Sequence, residues 1–264
     1  MRDDFLKAYD RQLRGEGEVG GAVRAERHGP LWWAEFDDGW GFVTYADAAA
    51  VPGAEVDALV AETVAHFRDA TSVERFEWKT RGHDLPADLG ERLVAHGLVA
   101  DEEETVMIGE AAALAVAVEL PAGVVVRRAG VGGGLADDVR RARAMQDEVF
   151  GRGPGRSLEA AVAELTDTDE AQLWLAEAGG AVVSAGRLVR VPGTEFAGLW
   201  GGATLAGWRG RGIYRALTSA RAAAALDLGV RYLQSDCTAM SRPILERSGL
   251  VAVTTTTPYL WERS

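Results

Sequence analysis

One stretch constrains this chain more than any other. Phe196-Ala-Gly-Leu-Trp-Gly-Gly-Ala-Thr-Leu205 reads as an apolar strand that passes through Ala206-Gly-Trp208 and Arg209-Gly-Arg-Gly212 directly into a helix from Ile213 to Leu228. A strand that feeds a helix through glycines leaves several backbone N–H groups unpaired and aimed at one spot, where the helix dipole also favours negative charge. Gly210 and Gly212 let a diphosphate approach the main chain without meeting a Cβ. Arg209, Arg211 and Arg215 offer charge-assisted bonds to phosphate oxygens. The stretch is therefore read as a phosphate cradle. No Lys-Ser/Thr follows the glycines, which excludes a P-loop, and no Gly-x-Gly-x-x-Gly with a downstream acid stands in a parallel unit. The plainer reading, a tight strand-to-helix connection, agrees less well with the three arginines and the apolar helix that follows.

Charge sharpens the division of labour. The 264 residues carry 28 Lys/Arg and 40 Asp/Glu, a net charge of −12. Residues 1–120 hold 11 basic and 25 acidic side chains (−14), whereas 121–264 hold 17 and 15 (+2). An acidic chain without a basic stripe repels nucleic acid and anionic membranes, so neither is an expected partner. The arginine-rich second half suits a small phosphate-bearing ligand. All four histidines (His28, His66, His83, His96) lie in the first half, which argues against a Ser/His/Asp hydrolase in the second. The lone Cys237 forms no internal disulfide and no CxxC zinc pair, so no metal is expected. Neither a signal-like start nor an apolar run of about 20 residues is present, and a cytoplasmic location is expected.

The chain reads as two α/β domains, 1–120 and 121–264. In the first, a helix near Asp3 to Leu13 and a Gly15–Gly21 connector precede strands at Leu31–Phe36 and Trp40–Tyr45. A helix opened by Pro52, a strand at Val73–Lys79, a helix from Pro86 to His96 and a strand at Glu104–Ile108 follow. The second domain begins at Val124–Arg128, adds helices at Ala136–Phe150 and Leu158–Leu165, and then a hairpin across Gly179-Gly180. After the cradle and its helix come a strand at Arg231–Asp236, a helix at Arg242–Ser248, and a final pair of strands through Thr254 and Tyr259. Gly97-Leu-Val-Ala100 and Gly249-Leu-Val-Ala252 each follow a helix preceded by a strand, which points to duplication.

At this point a resemblance enters. Arg209-Gly-Arg-Gly-Ile-Tyr-Arg-Ala-Leu217 resembles the Arg/Gln-x-x-Gly-x-Gly/Ala loop of the GCN5-related N-acetyltransferases, and the element order of residues 124–264 is similar to theirs. Residues 1–118 resemble a degenerate second copy without the loop. The resemblance implies an α/β fold with a mixed sheet in tandem copies, the second binding acyl-CoA. It implies that Gly202, Ala203 and Thr204 hold the pantetheine arm through their backbone. It assigns the pyrophosphate to Arg209, Gly210, Arg211, Gly212, Ile213, Tyr214 and Arg215. Acetyl-CoA, or another acyl-CoA, is the implied co-substrate, a small-molecule amine the implied acceptor, and a monomer or homodimer the expected state.

Two positions depart from the family pattern. Tyr214 stands where Gly or Ala is usual, and either points away from the phosphates or covers the cofactor. In the pattern Tyr-x-x-x-Gly-Phe, whose tyrosine protonates the departing thiolate, this chain has Leu245-Glu-Arg-Ser-Gly-Leu250. Another group then protonates the thiolate, or water does, or the domain binds acyl-CoA without rapid turnover. Asp236 is the carboxylate placed to act as base, with capping near Ser241 as its competing use. Tyr259 and Tyr214 are replacement acids, although packing accounts for each. Ser241 either caps the helix opened by Arg242-Pro243 or touches the sulfur end of the cofactor. Cys237 reads as a small buried residue rather than a nucleophile. Trp32-Trp33 and Trp40 read as filling the core of the first half or the seam between the halves, with an aromatic wall for a substrate as the alternative. Asp101–Glu104 reads as a solvated loop, with a site attracting a cationic amine as the sharper reading, and Gly151–Arg156 as either a lid or a plain loop. The expected function is acetyl transfer to an amine by direct attack. The alternatives are transfer to oxygen or sulfur, and a non-catalytic acyl-CoA-binding protein.

Overall fold

The structure is a computed structural model. It describes residues 1–37, 39–46, 53–132, 134–151, 157–166 and 168–263, apart from the side chains of 53 and 54. The helices are α1 (Arg2–Gln12), α2 (Gly53–Asp69), α3 (Leu89–Ala95), α4 (Ala111–Leu114), α5 (Leu135–Phe150), α6 (Leu158–Ala163), α7 (Ile213–Asp227) and α8 (Arg242–Ser248). The strands are β1 (Arg24–His28), β2 (Leu31–Glu35), β3 (Trp40–Tyr45), β4 (Arg75–Arg81), β5 (Val99–Ala100), β6 (Glu104–Glu110), β7 (Val124–Arg128), β8 (Ala171–Ala178), β9 (Ala181–Arg190), β10 (Phe196–Thr204), β11 (Tyr232–Cys237) and β12 (Val251–Glu262).

Two compact units form, and neither is a continuous stretch of sequence. The first comprises Met1–Met107, Asp236–Pro243 and Ala252–Ser264, and the second Ile108–Ser235 and Ile244–Val251. A division at residue 120 leaves the last strand with the second half. Instead β12 runs antiparallel along β4 from Thr256 opposite Arg81 to Glu262 opposite Arg75, and this ladder of backbone bonds anchors it in the first unit. It is also one strand rather than the expected pair. No turn-forming Gly or Asn interrupts Thr254 to Tyr259, and Pro258 keeps register opposite Lys79.

Within the first unit the strands pair in the order β1-β2-β3-β4-β12, with β5 on β12. β1 escapes a reading by periodicity because Arg-Ala-Glu-Arg-His has no apolar alternation. Backbone bonds to β2 hold it, and most of its side chains are exposed. The core is aromatic. Phe67 stacks on Phe76 at 4.5 Å and Phe76 on Trp261 at 5.4 Å, while Trp33 lies between His28 and His66 with its Nε1 donating to Thr63. Such pairs add about 0.5–1.5 kcal/mol each beyond the area they bury. Trp33 thus serves as core, as its sequence context suggested.

In the second unit the pairing runs β11-β10-β9-β8-β7, antiparallel except between β10 and β11. The sheets are therefore mixed. α5 packs Val139, Ala142 and Met145 against Leu173, Leu175, Val182 and Ala203, a helical stripe against strand-alternating partners.

The two units repeat local features of one another. In the first, β3 and β4 pair in parallel from Trp40–Arg75 to Val43–Trp78. In the second, β10 and β11 do so from Phe196–Tyr232 to Gly198–Gln234. α3 and α8 also stop in the same way. Gly97 (φ +91°) and Gly249 (φ +108°) take left-handed conformations, and the next residue, Leu98 or Leu250, donates its N–H to the carbonyl of Leu93 or Leu245 at 3.1 Å. This is a Schellman stop, and only glycine meets its φ without strain.

Candidate functional site

The site is built at the end of β10. Pairing with β9 shifts register between Trp200 and Ala203, so Gly201 and Gly202 form a bulge, with Gly201 at φ +60°. Pairing with β11 extends over only three residue pairs, ending at Gly198–Gln234. The bulge is held from several sides. Gln146, on α5, donates its Nε2 to the Gly201 carbonyl at 2.6 Å. The buried Ser184 hydroxyl donates to the Ala203 carbonyl at 2.7 Å and lies 2.8 Å from the Thr204 hydroxyl. Arg209 donates its Nε to the Thr204 carbonyl at 3.0 Å, tying the loop back to the strand it leaves.

A short 3₁₀ turn, Ala206–Trp208, leads to Gly210 (φ +73°) and Gly212 (φ +77°), the latter being the N-cap of α7. No side chain caps this 15-residue helix, and its first turn holds no acid. Its N-terminal amides and dipole thus remain available to an anion, which a capping carboxylate would have displaced. Arg209, Arg211 and Arg215 are exposed around it, and the Arg211 guanidinium lies 5.0 Å from the Trp208 ring centroid. A Cβ on Gly210 would meet nothing within 4 Å, so the approach to the main chain is open there. A Cβ on Gly212 would instead face the Glu119 carbonyl at 3.6 Å and Val118 at 3.8 Å, in the segment preceding β7. Glycine at 212 is thus required by the backbone conformation rather than by space for a ligand. Ile213 is buried with Val124, Ala176 and Val183, so its part in the loop is to seat the helix and offer its N–H.

Tyr214 turns back over the strand. Its ring and hydroxyl lie where a Cβ on Gly202 would be, 2.7 Å from the hydroxyl oxygen, so Gly202 makes room for Tyr214. Beneath it, Arg221 is fully buried. Arg221 donates to the Leu217 and Arg187 carbonyls and to the Thr218 hydroxyl, and its guanidinium lies 5.9 Å from the Tyr214 ring centroid. Burial pushes the Arg221 guanidinium below its usual range, against the opposing pull of the Tyr214 phenol. Gly186 accommodates the same arginine, since a Cβ there would come within 2.6 Å of Nη1. Gln146, Ser184, Gly186 and Arg221 carry no recognisable motif. Arg221 follows the loop on α7, whereas Gln146 and Ser184 are distant from it in sequence, and only the packing of α5 and β9 brings them to the bulge.

The remaining expected residues lie elsewhere. Leu245, at the position of the missing tyrosine, is buried in the second unit. Asp236 and Ser241 belong to the first unit. The Asp236 carboxylate lies 2.8 Å from Lys79 Nζ, and its side chain is 5% exposed. Burial opposes the charge of Lys79, and Asp236 more than offsets it, holding the ammonium above the usual lysine range. Asp236 is thus engaged as the counterion of a buried cation. Ser241 donates its N–H to Thr238 in the turn before α8. Tyr259 packs on the first unit's core with its hydroxyl against Gly90 of α3, and burial pushes its phenol up. Cys237 is buried. Glu104 is half-buried rather than fully solvated, and burial first, then the charge of Asp236, raises its carboxyl. The Gly151–Arg156 segment, where a lid was considered, lies outside the described residues from 152 to 156.

In the first unit the described residues fill the corresponding strand ends with paired side chains, and residues 47–52, between β3 and α2, lie outside the described residues. Beyond its parallel β3–β4 pairs, Thr44 and Arg81 both bond Glu18, and Tyr45 and Arg14 both bond Asp84 at 2.7 and 2.8 Å. Glu18 comes from a 3₁₀ turn, Gly15–Glu18, and Arg14 from just before it. These charged side chains occupy the ends of the two strands. Among the described residues no group of three His, Cys, Asp or Glu side chains is placed to hold a metal. No helix among them is long and apolar enough to cross a membrane.

Comparison with solved structures identifies the fold. A GCN5-related N-acetyltransferase from Kribbella flavida superposes with a TM-score of 0.69 at 18% identity, covering 98% of this chain and 93% of that one. One from Sphaerobacter thermophilus gives 0.65 at 18% identity over 88% and 76% of the two chains. A tandem GNAT protein from the clavulanic acid biosynthesis pathway gives 0.61 at 14% identity over 88% and 78%. No sequence-family model matches the chain, and no curated protein matches it in sequence. The fold is that of the GCN5-related N-acetyltransferases, with a mixed sheet, and a tandem arrangement is consistent with these neighbours.

Proposed function

We propose that the protein is an acyl-CoA-dependent N-acyltransferase that moves an acetyl group from acetyl-CoA to the amine of a small molecule. The observation that carries this reading is the junction of β10 and α7. There a bulged strand, two left-handed glycines and an uncapped helix N-terminus converge with three exposed arginines. The α7 amides, Arg211 and Arg215 hold the pyrophosphate, and Gly202 to Thr204 carry the pantetheine arm.

In the reaction the amine nitrogen attacks the thioester carbonyl, the C–S bond breaks, and coenzyme A leaves as a thiolate that takes up a proton. The acceptor's ammonium first gives one proton to water to free its lone pair, and the nitrogen gives up a second to water as the amide forms. Tyr214 is the phenol the second unit offers to the thiolate, because Tyr232 is buried against Phe196 and Leu245 has no proton to give. The guanidinium of Arg221 stabilises the phenolate that proton donation leaves behind.

The test combines binding with turnover. Acetyl-CoA raises the melting temperature, and a panel of small amines releases free thiol from it. Tyr214→Phe lowers kcat while leaving KM for acetyl-CoA unchanged. No thermal shift with acetyl-CoA or longer acyl-CoAs overturns the cofactor assignment. Buried Leu245 favours a second reading, a non-catalytic acyl-CoA-binding protein, and a thermal shift without thiol release across the panel selects it.

A further inference from the structure

The first unit contains a cleft of about 530 Å³, within the range of small-molecule sites. Its ionisable lining is entirely basic: Arg2 from α1, His83 just after β4, and Arg242 at the start of α8. In a chain with 40 acidic and 28 basic side chains, such a lining is a local reversal of charge. We propose that this cleft binds a small organic carboxylate with a short apolar body.

Arg2 and His83 are positioned rather than loose. Arg2 is held against β12 by an Nη2 bond to the Val253 carbonyl at 3.1 Å. His83 is fixed through both ring nitrogens, with Nδ1 2.8 Å from the Thr254 hydroxyl and Nε2 3.1 Å from Asp10. Asp10 pairs with the ring at Nε2 and is not among the residues that line the cleft. Burial first pushes the Asp10 carboxyl up, but its hydrogen bond to His83 and the neighbouring charges hold it below its usual range. Leu6 and Val253 supply apolar wall, and Thr254 a hydroxyl. Guanidinium groups pair in a planar fork with carboxylate and phosphate alike, and phosphate sites commonly add a cradle of backbone amides. The glycine at this cleft does not provide such a cradle, because the Gly82 N–H is bonded to the Thr255 carbonyl at 3.0 Å. The chemistry therefore favours a carboxylate.

The full-length chain, ¹⁵N-labelled, is titrated with hexanoate and, separately, with hexanamide, hexylamine and inorganic phosphate. Hexanoate shifts the backbone amides of His83, Arg242 and Thr254 saturably, and the other three leave them in place. Arg2→Gln and Arg242→Gln each weaken hexanoate binding by about tenfold or more, the loss of one charge-assisted hydrogen bond. Both arginines are exposed, so unchanged melting temperatures show that the variants fold. Equal shifts with hexanamide, equal binding of inorganic phosphate, unchanged affinity in the Arg2→Gln/Arg242→Gln double variant, or no shift at all overturns the assignment.

Discussion

The Lys79 ammonium lies 2.8 Å from the Asp236 carboxylate, and both side chains are largely withdrawn from water. An isolated charge there would be costly, and removing one member of a buried pair commonly destabilises by about 3–5 kcal/mol. Asp236→Asn is therefore expected to lower stability in urea unfolding. In thiol-release assays its pH–rate profile should keep the wild-type shape, because its carboxylate serves Lys79. Loss of the acidic limb of that profile would restore Asp236 to the mechanism as a base.

Gly212 occupies the left-handed region at φ +77° with room beside it for a methyl group. Gly212→Ala is expected to strain the N-cap of α7 by about 1–2 kcal/mol and to reduce the thermal shift given by acetyl-CoA. Arg211→Gln and Arg215→Gln leave the backbone alone. Each should weaken coenzyme A binding by about 1.5–3 kcal/mol, with a shallower salt dependence than the wild type. Titration calorimetry at two ionic strengths separates the strain effect from the charge effect.

Gly202 and Tyr214 form a matched pair. Gly202→Ala places a methyl group against the Tyr214 hydroxyl and ring and should displace them, lowering acetyl-CoA affinity. Tyr214→Ala in the same chain relieves the clash. The two substitutions should therefore couple by about 0.5–3 kcal/mol in a double-mutant cycle on stability, and strict additivity would show that the ring is not held over Gly202.

Arg127 grips Asp138 with two bonds of 2.7 Å and also bonds Glu177 at 2.6 Å. Hydrogen bonds from Arg127 hold the carboxyls of both Asp138 and Glu177 below their usual range. A carboxyl depressed in the folded state stabilises it above the unfolded pKa, near 4, and that contribution is lost as pH falls through the folded value. Arg127→Met should thus differ most from wild type in urea unfolding at pH 7, with the gap closing below about pH 4. A gap independent of pH would show that Arg127 acts by packing alone. Because this pair anchors α5, which carries Gln146, the variant should also loosen the Gly201 bulge.

Leu245 illustrates a limit of motif reasoning. Its side chain is 1% exposed, so Leu245→Tyr would overpack the second unit by about 1–3 kcal/mol rather than install a donor. A restored thiol-release rate with unaltered stability would contradict this.

Most of the elements were legible because burial imposes a period. β3, β7, α5, α7 and α8 lie within a residue of where apolar spacing, Gly and Pro place them, and the Gly97 and Gly249 echo proved to be the same helix stop twice. The loop from Arg209 to Arg215 was legible because its signals are local: glycines for φ, arginines for charge, an apolar helix directly after. β1 was hidden because backbone pairing to β2, not side-chain burial, makes it a strand.

What the sequence determined by itself was thus the strand–loop–helix junction, the absence of imidazole from residues 121–264, and leucine at 245. Each is a property of residues near one another in the chain. Tertiary structure decided the rest: that β12 closes the first unit, that Asp236 answers Lys79 across 157 positions, and that Tyr214 folds back over Gly202. The reason is that ladder pairing, ion pairing and side-chain contact depend on which segments meet in space, and no periodicity along the chain records that.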